Sequence, residues 1–455
     1  MSPGLAVFAG VFGRGRVADA LDDRALLQAL LDVEAGLARA LAGAGLTSTA
    51  AAQAVTQAAQ AERFSLAELA AGSAAAGSPI PALVKALQRE VAADHESAIH
   101  TGATSQDIVD SALMLLLQRA LPHLADDLAA CAEAAARLAD RHRDSLMPGR
   151  TLLQQATPIT FGLKAAGWLT ALDQVERALT GLLSQRLPVQ LGGAAGTLAS
   201  LEQHGLEVAQ LLAAELGLRA PALPWHTLRL PVLTLASELG QIAAVSGKIA
   251  RDVGLLAQSE VAEVREPAGA GRGASSTMPH KQNPVGSVAA LSCSRRVPGL
   301  LATLFAAAEQ EHERAAGAWH AEWEPLIELA RLTGSAVSWL RDVLEGLQVD
   351  TARMRANLDA ARGLPLAERL SGALTPALGK RAAQALVADA SARAIHTQRT
   401  LADVLREEPE LTRVLEGAGL DHTRISSLLD PTGYLGSTQA LIDRALALHH
   451  TPRDP

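Results

Sequence analysis

Gly273-Ala274-Ser275-Ser276-Thr277-Met278-Pro279-His280-Lys281-Gln282-Asn283-Pro284 is the stretch from which the rest of the chain is best read. In 455 residues the chain has 5 Lys against 35 Arg, 2 Asn and 5 Met, yet Met278, Lys281 and Asn283 fall within six positions. A chain that defaults to Ala, Leu and Arg keeps three scarce side chains here. Upstream, the glycines from Gly269 to Gly273 preclude a continuing helix. Downstream, Asn283-Pro284 opens a new one, with proline suited to its first turn. Ser275 and Ser276 are therefore expected on a Gly-rich segment beside the cation of Lys281 and a helix N-terminus. Such a place can bind a carboxylate and stabilise a charged serine oxygen. An ordinary capped connection would need none of the scarce residues.

On either side of this loop the patterns are helical and long. Apolar residues at helical spacing run through Gln106–Arg143, Thr157–Leu183, Leu230–Val264 and Pro284–Glu313. Pro122 and Pro298 are expected to kink or break two of them. Gly240, Gly247 and Gly254 are seven residues apart, so they form one stripe on a helix and point to closely packed backbones. Asp22–Ala42 is a further helix, with Leu26, Leu27, Leu30, Leu31, Val33, Leu37 and Leu41 on one broad face. Ser335–Leu347 reads as another. Apolar residues make up 49% of the chain and aromatics 2%, so alanine and leucine build the core, which favours helices over sheets. The expected fold is all-α, in three helical domains: residues 1–104, a central long-helix bundle over 105–350 that carries the loop, and a small domain over 351–455. Bundles of such length often pair with those of other subunits.

The net charge is −8, with both signs interspersed and no basic tract, which argues against nucleic acid or an anionic membrane as partner. An anionic substrate must then be held by local cations. Cys131 and Cys293 are too few for a disulfide framework or a zinc cluster, and read as small buried residues. The first residues lack the pattern of a signal peptide, and no apolar run is expected to reach the roughly 20 residues of a membrane span. A cytoplasmic location is expected.

Further polar segments punctuate the helices. Gly102-Ala103-Thr104-Ser105-Gln106-Asp107 opens a long helix. Thr104 and Asp107 resemble a capping box, and the hydroxyls with the free amides of a helix start can also hold an anion. His100 precedes them. Gly149-Arg150-Thr151-Leu152-Leu153-Gln154-Gln155 reads as a loop entering a helix. Pro224-Trp225-His226-Thr227-Leu228-Arg229 and Gln310-Glu311-His312-Glu313-Arg314 add histidines and arginines suited to a polyanionic small molecule and to proton transfer. Gly192-Gly193-Ala194-Ala195-Gly196 is Gly-rich, but no strand pattern supports nucleotide binding there.

Taken together, Thr104 to Asp107, Gly149 to Thr151 and Ser275 to Pro284 resemble, in that order along the chain, the three conserved regions of the fumarase/aspartase superfamily. Within it, the segments around Glu34, Gly102, Trp225, Glu311 and Trp319-His320-Ala321-Glu322-Trp323-Glu324 are most similar to the 3-carboxy-cis,cis-muconate cycloisomerase family. The resemblance covers nearly the whole chain. It implies a cytoplasmic homotetramer around a long helical bundle, with each active site assembled from three subunits. It also implies a small polycarboxylate substrate, no metal, no organic cofactor, and the β-ketoadipate route of protocatechuate breakdown. By position, it gives Ser275 the proton at the reacting carbon and His100 a catalytic part. It gives Ser276, Met278, Lys281, Asn283, Thr104, Ser105, Thr151, Gln154, Arg229 and Arg314 parts in binding substrate.

One departure narrows the chemistry. Many relatives carry a histidine in the middle region where this chain has Leu152 or Gln155. A lyase that must protonate an amine leaving group would miss that acid. A cycloisomerase, whose nucleophile is already a stable carboxylate, would miss it less. An adenylosuccinate lyase-like C–N lyase is the alternative, and a catalytically silent scaffold is the alternative of another class, which the intact loop disfavours.

Overall fold

The leucine repeat from Leu26 to Leu41 folds into a helix, Asp23–Gly43 (α1), whose start is capped by the Asp22 carboxylate accepting from the Ala25 amide. The computed structural model describes residues 6–451 apart from 268, 270–272, 275, 276, 279 and 408. Ser275 and Ser276, two of the expected site residues, thus lie outside the described residues. The chain is all-α in class, with long helices at Ser105–Arg141 (α2), Phe161–Ser184 (α3), Leu230–Leu256 (α4), Val285–Ala307 (α5) and Ala318–Glu345 (α6). Pro122 and Pro298 break neither α2 nor α5. The ladder bond lost at Pro122 is offset by burial of its neighbours, Leu121 and Leu124, both fully inside. The last long helix begins at Ala318, well before the expected Ser335, because Trp319 and Leu326 extend its buried face.

The segment expected as a loop and helix start is instead an antiparallel hairpin. Leu146–Thr151 (β1) pairs with Gln154–Thr160 (β2), and Thr151 faces Gln154 across the turn. Leu152 and Leu153 form a two-residue connection with φ of +49° and +65°. Positive φ at both positions matches the twist of a tight hairpin, but glycine and asparagine are the usual occupants. A second small ladder joins Val264–Arg265 (β3) to Gln348–Val349 (β4).

The glycine stripe packs closely at two of its three members. A Cβ on Gly240 would meet the Leu301 side chain at 2.6 Å, and one on Gly247 would meet that of Ser294 at 3.0 Å, so α4 and α5 approach closely there. Gly254 has open space. By length and composition α2 and α4 both reach what a membrane span needs, which corrects the expectation that no segment would. In α2, 78% of the apolar window is buried within the protein itself. Both cysteines are buried, and burial pushes the Cys293 thiol up to about 12.

Packing divides the chain into two compact units. The first comprises residues up to Ala129, Gln174–Ala250 and Gly286–Arg341, and the second comprises Ala130–Asp173, Arg251–Val285 and Asp342 onward. This partition follows contacts, whereas the three segments expected from sequence follow the run of long helices. In the second unit, short helices including Ala367–Leu378 and Lys380–Thr397 enclose a core around Leu370, Leu374, Val387 and Leu405.

Candidate active site

In the first unit, the N-terminus of α2 is held by one carboxylate. Asp107 Oδ1 accepts from the Gly192 amide at 2.9 Å and from His226 Nε2 at 2.6 Å. Its Oδ2 accepts from the amides of Gly193 and Thr104 at 2.9 and 3.0 Å. An ionised carboxylate only accepts, so His226 carries its proton on Nε2. The Thr104 contact is half of the expected capping box. The other contacts were hidden from the sequence because their donors lie some 85 to 119 positions away. The Gly-rich run at 192–196 has its explanation here. Its first two amides serve an internal carboxylate, Gly193 takes φ +70°, and a side chain on Gly192 would collide with His226.

One turn further along α2, Asp110 anchors a buried ion network. Arg229 donates from Nη1 to Asp110 Oδ2 at 2.7 Å and from Nη2 to Oδ1 at 3.0 Å. It also donates from Nη2 and Nε to Glu322 Oε2, at 2.7 and 3.0 Å, and from Nη1 to the Trp225 carbonyl. Trp319 Nε1 donates to Asp110, and Gln310 Nε2 to Glu322. Burial raises the Glu322 carboxyl above its ordinary value, and the hydrogen bond and charge of Arg229 work against that rise. Arg229, expected from the resemblance to bind substrate, is here bound to two protein carboxylates. Every donor of its guanidinium is engaged inside the unit. Arg314, half-buried, donates from Nη1 to Gln106 Oε1 at 2.9 Å and from Nη2 to the Ala194 carbonyl at 2.8 Å.

This network leaves Thr104 and Ser105 half-buried at the start of α2, on a turn fixed from behind by Asp107. Their hydroxyls, with the N-terminal amides and positive end of a 37-residue helix, suit a carboxylate. His100, just before them, takes φ +57° and is tied to Glu34 on α1.

In the second unit, the hairpin β1–β2 presents Thr151, Leu152, Leu153 and Gln154, all exposed, at its tip. Behind the tip, Arg150 makes a two-point ion pair with the fully buried Glu263, at 2.9 and 2.7 Å. Asn357 Nδ2 also donates to Glu263, and its carbonyl accepts from Gln155 Nε2. Gln155 is thus a brace of the hairpin. The 273–284 loop closes at its neck. The Asn283 amide donates to the Gly273 carbonyl at 2.8 Å, and Ala274 bridges Gln282. Gly273 has φ +70°, and a Cβ there would strike the Asn283 carbonyl at 2.6 Å, so glycine is needed. Lys281 is exposed, its amide donating to the Met278 carbonyl, and Asn283 is half-buried at the neck.

Asp110, Glu322, Glu34, Glu263 and Asn357 were not singled out from the sequence for a site role. A usable signal existed for two of them. Asp107 and Asp110 are acids three apart on an apolar helix, and Glu34 is an acid within the leucine face of α1. A carboxylate in such a place needs a partner. A groove of about 600 Å³ lined by Ala302, Ala306, Ala307, Gly317, Ala318 and Ala321 carries no titratable side chain and is not the candidate site.

The profile of a family described as Lyase matches residues 15–299, and that of the Adenylosuccinate lyase C-terminus matches residues 363–445. The chain is 48% identical over 451 residues to the 3-carboxy-cis,cis-muconate cycloisomerase of Pseudomonas aeruginosa, covering 98% of this chain and 97% of that one. It is 47% identical to the nitrosuccinate lyase of Streptomyces davaonensis, covering 94% and 91%. Its structure superposes on the 3-carboxy-cis,cis-muconate lactonizing enzyme from Pseudomonas putida with a TM-score of 0.90 at 42% identity, over 98% of this chain and 99% of that one.

Proposed function

Given that the chain belongs to the lyase family of the fumarase/aspartase superfamily, we propose that it is a cofactor-independent cycloisomerase converting 3-carboxy-cis,cis-muconate to carboxymuconolactone. The observation that carries this reading is the full-length likeness to 3-carboxy-cis,cis-muconate cycloisomerases in both sequence and fold. The middle region agrees with it. Leu152 and Gln155 stand where an acid for an amine leaving group would be, and an internal carboxylate nucleophile needs no such acid.

In the proposed reaction one carboxylate oxygen attacks the conjugated double bond. The electron pair moves onto a neighbouring carboxylate as an enediolate, and a proton is then added at the adjacent carbon. Lys281 and Asn283, with Ser276 and Met278 on the same loop, bind the carboxylate that takes the charge. Thr104 and Ser105 at the start of α2 hold a second carboxylate, and Thr151 and Gln154 on the hairpin bind the third. Ser275 delivers the proton, and His100 serves as an acid. Arg229 and Arg314 serve as struts that fix the Thr104 turn. The working form is a cytoplasmic homotetramer with sites shared between subunits, acting in protocatechuate breakdown by the β-ketoadipate route.

The likeness to a nitrosuccinate lyase and the matching adenylosuccinate lyase C-terminus give a second reading, a C–N lyase. Purified protein offered 3-carboxy-cis,cis-muconate, nitrosuccinate and adenylosuccinate in parallel tests both. Loss of the diene absorbance with lactone in the proton NMR spectrum is the expected result. Cleavage of either of the other two with no lactone assigns the lyase.

A further inference from the structure

Glu34 is an acid on the apolar face of α1, between Val33 and Ala35 and close to Leu30, Leu31 and Leu37, and it is fully buried. A carboxylate there costs several kcal/mol unless it is paired. Both of its oxygens go to one residue. Oε2 accepts from the His100 backbone amide at 3.0 Å and Oε1 from His100 Nδ1 at 2.7 Å. A tie needed only to hold the chain would require the backbone bond alone. Here the ring is fixed as well, on a residue with φ +57°, a conformation that costs free energy and persists where its surroundings impose it. Because Nδ1 donates to a carboxylate, Nε2 is the nitrogen left for chemistry.

His226 is the natural comparison. It too meets a carboxylate, but its side chain is 4% exposed and its partner Asp107 is saturated by three amides. The His100 side chain is 22% exposed and lies four residues before Thr104. Burial works against a charged His100 ring, but the hydrogen bond and charge of Glu34, with the charge of Asp107, raise its pKa overall. Glu34 from α1 and Asp107 from α2 are the charged groups acting on it.

We propose that Glu34 is the positioning residue that holds His100 as the proton store of this site. The inference rests on the carboxylate-addition reading, and the chemistry of that reaction calls for such a store. A substrate with three carboxylates becomes a lactone with two, so each turnover takes up one proton. In the proposed step the Nε2–H bond of His100 breaks, and its electron pair stays on the ring. The proton makes good the one that each turnover consumes, and Nε2 is recharged from water. Leu152 and Gln155 cannot supply it.

The test uses the full-length protein and the variants Glu34→Gln, Glu34→Asp and His100→Asn. For Glu34→Gln we expect kcat to fall roughly tenfold or more with KM within about twofold. The ring gives up its proton more readily without the charge, so the alkaline fall of the kcat–pH profile should move to lower pH. Glu34→Asp should restore part of both. An activity-independent readout is carbethoxylation of His100 by diethyl pyrocarbonate, followed by peptide mass spectrometry, because the reagent attacks only the unprotonated ring. Its pH midpoint should move down in Glu34→Gln. An unchanged profile and midpoint in folded Glu34→Gln overturn the proposal. If that variant does not fold, His100→Asn carries the test, and an alkaline limb that survives in it overturns the proposal. If the wild type makes no lactone, the modification midpoint still decides the Glu34–His100 relation, and only the substrate assignment fails.

Discussion

Arg229 grips Asp110 at two points, 2.7 and 3.0 Å apart, with side chains 1% and 0% exposed. The same guanidinium holds Glu322. Removing it leaves two carboxylates facing each other out of water. We expect Arg229→Leu to lose about 3–5 kcal/mol of unfolding free energy, read from urea denaturation. A loss under about 1 kcal/mol would contradict the role of strut and return Arg229 to the substrate.

Glu322 gives this network a pH signature. Burial places its folded pKa above the ordinary 4.5, so the folded state holds that proton more tightly than the unfolded chain does. Its contribution is present in full below the unfolded value and is lost as pH rises through the folded one. The stability of wild type relative to Glu322→Gln should therefore decline as pH climbs above 4.5. Urea midpoints of the two proteins over a pH series provide the check, and a constant or rising difference contradicts the assignment.

The hairpin tip is built against local preference. Leu152 and Leu153 both take positive φ and are 97% and 77% exposed. Each costs about 1 kcal/mol relative to a residue at ease there. The double change Leu152→Asn with Leu153→Gly should hold or raise the melting temperature. If the tip serves catalysis, turnover should fall in the same protein. A variant that melts lower would show that the leucines support the fold.

Ser275 carries the proposed proton delivery. Ser275→Ala should lower kcat about a hundredfold or more, with KM within about threefold. Near-normal steady-state turnover would refute that role.

The sequence made some of this legible and concealed the rest for physical reasons. The long helices were readable because leucine periodicity is local, and α1 and α2 end within about two residues of expectation. The hairpin was not, because Pro148, Gly149 and Pro158 interrupt its strands and its turn lacks the usual Asn-Gly signal. The hydroxyls at the start of α2 and the cation of the loop could be named from their motifs. The buried network could not, because Arg229 lies 119 positions from Asp110 and 93 from Glu322. The same distance hid that Arg229 answers to protein carboxylates.

Proton counting tests the central claim most directly. In an unbuffered pH-stat with 3-carboxy-cis,cis-muconate, the loss of diene absorbance and the uptake of protons are followed together. Carboxylate addition predicts one proton taken up for each diene lost, with lactone as product. Diene loss without proton uptake, or an intact diene beside rapid cleavage of nitrosuccinate, would contradict it.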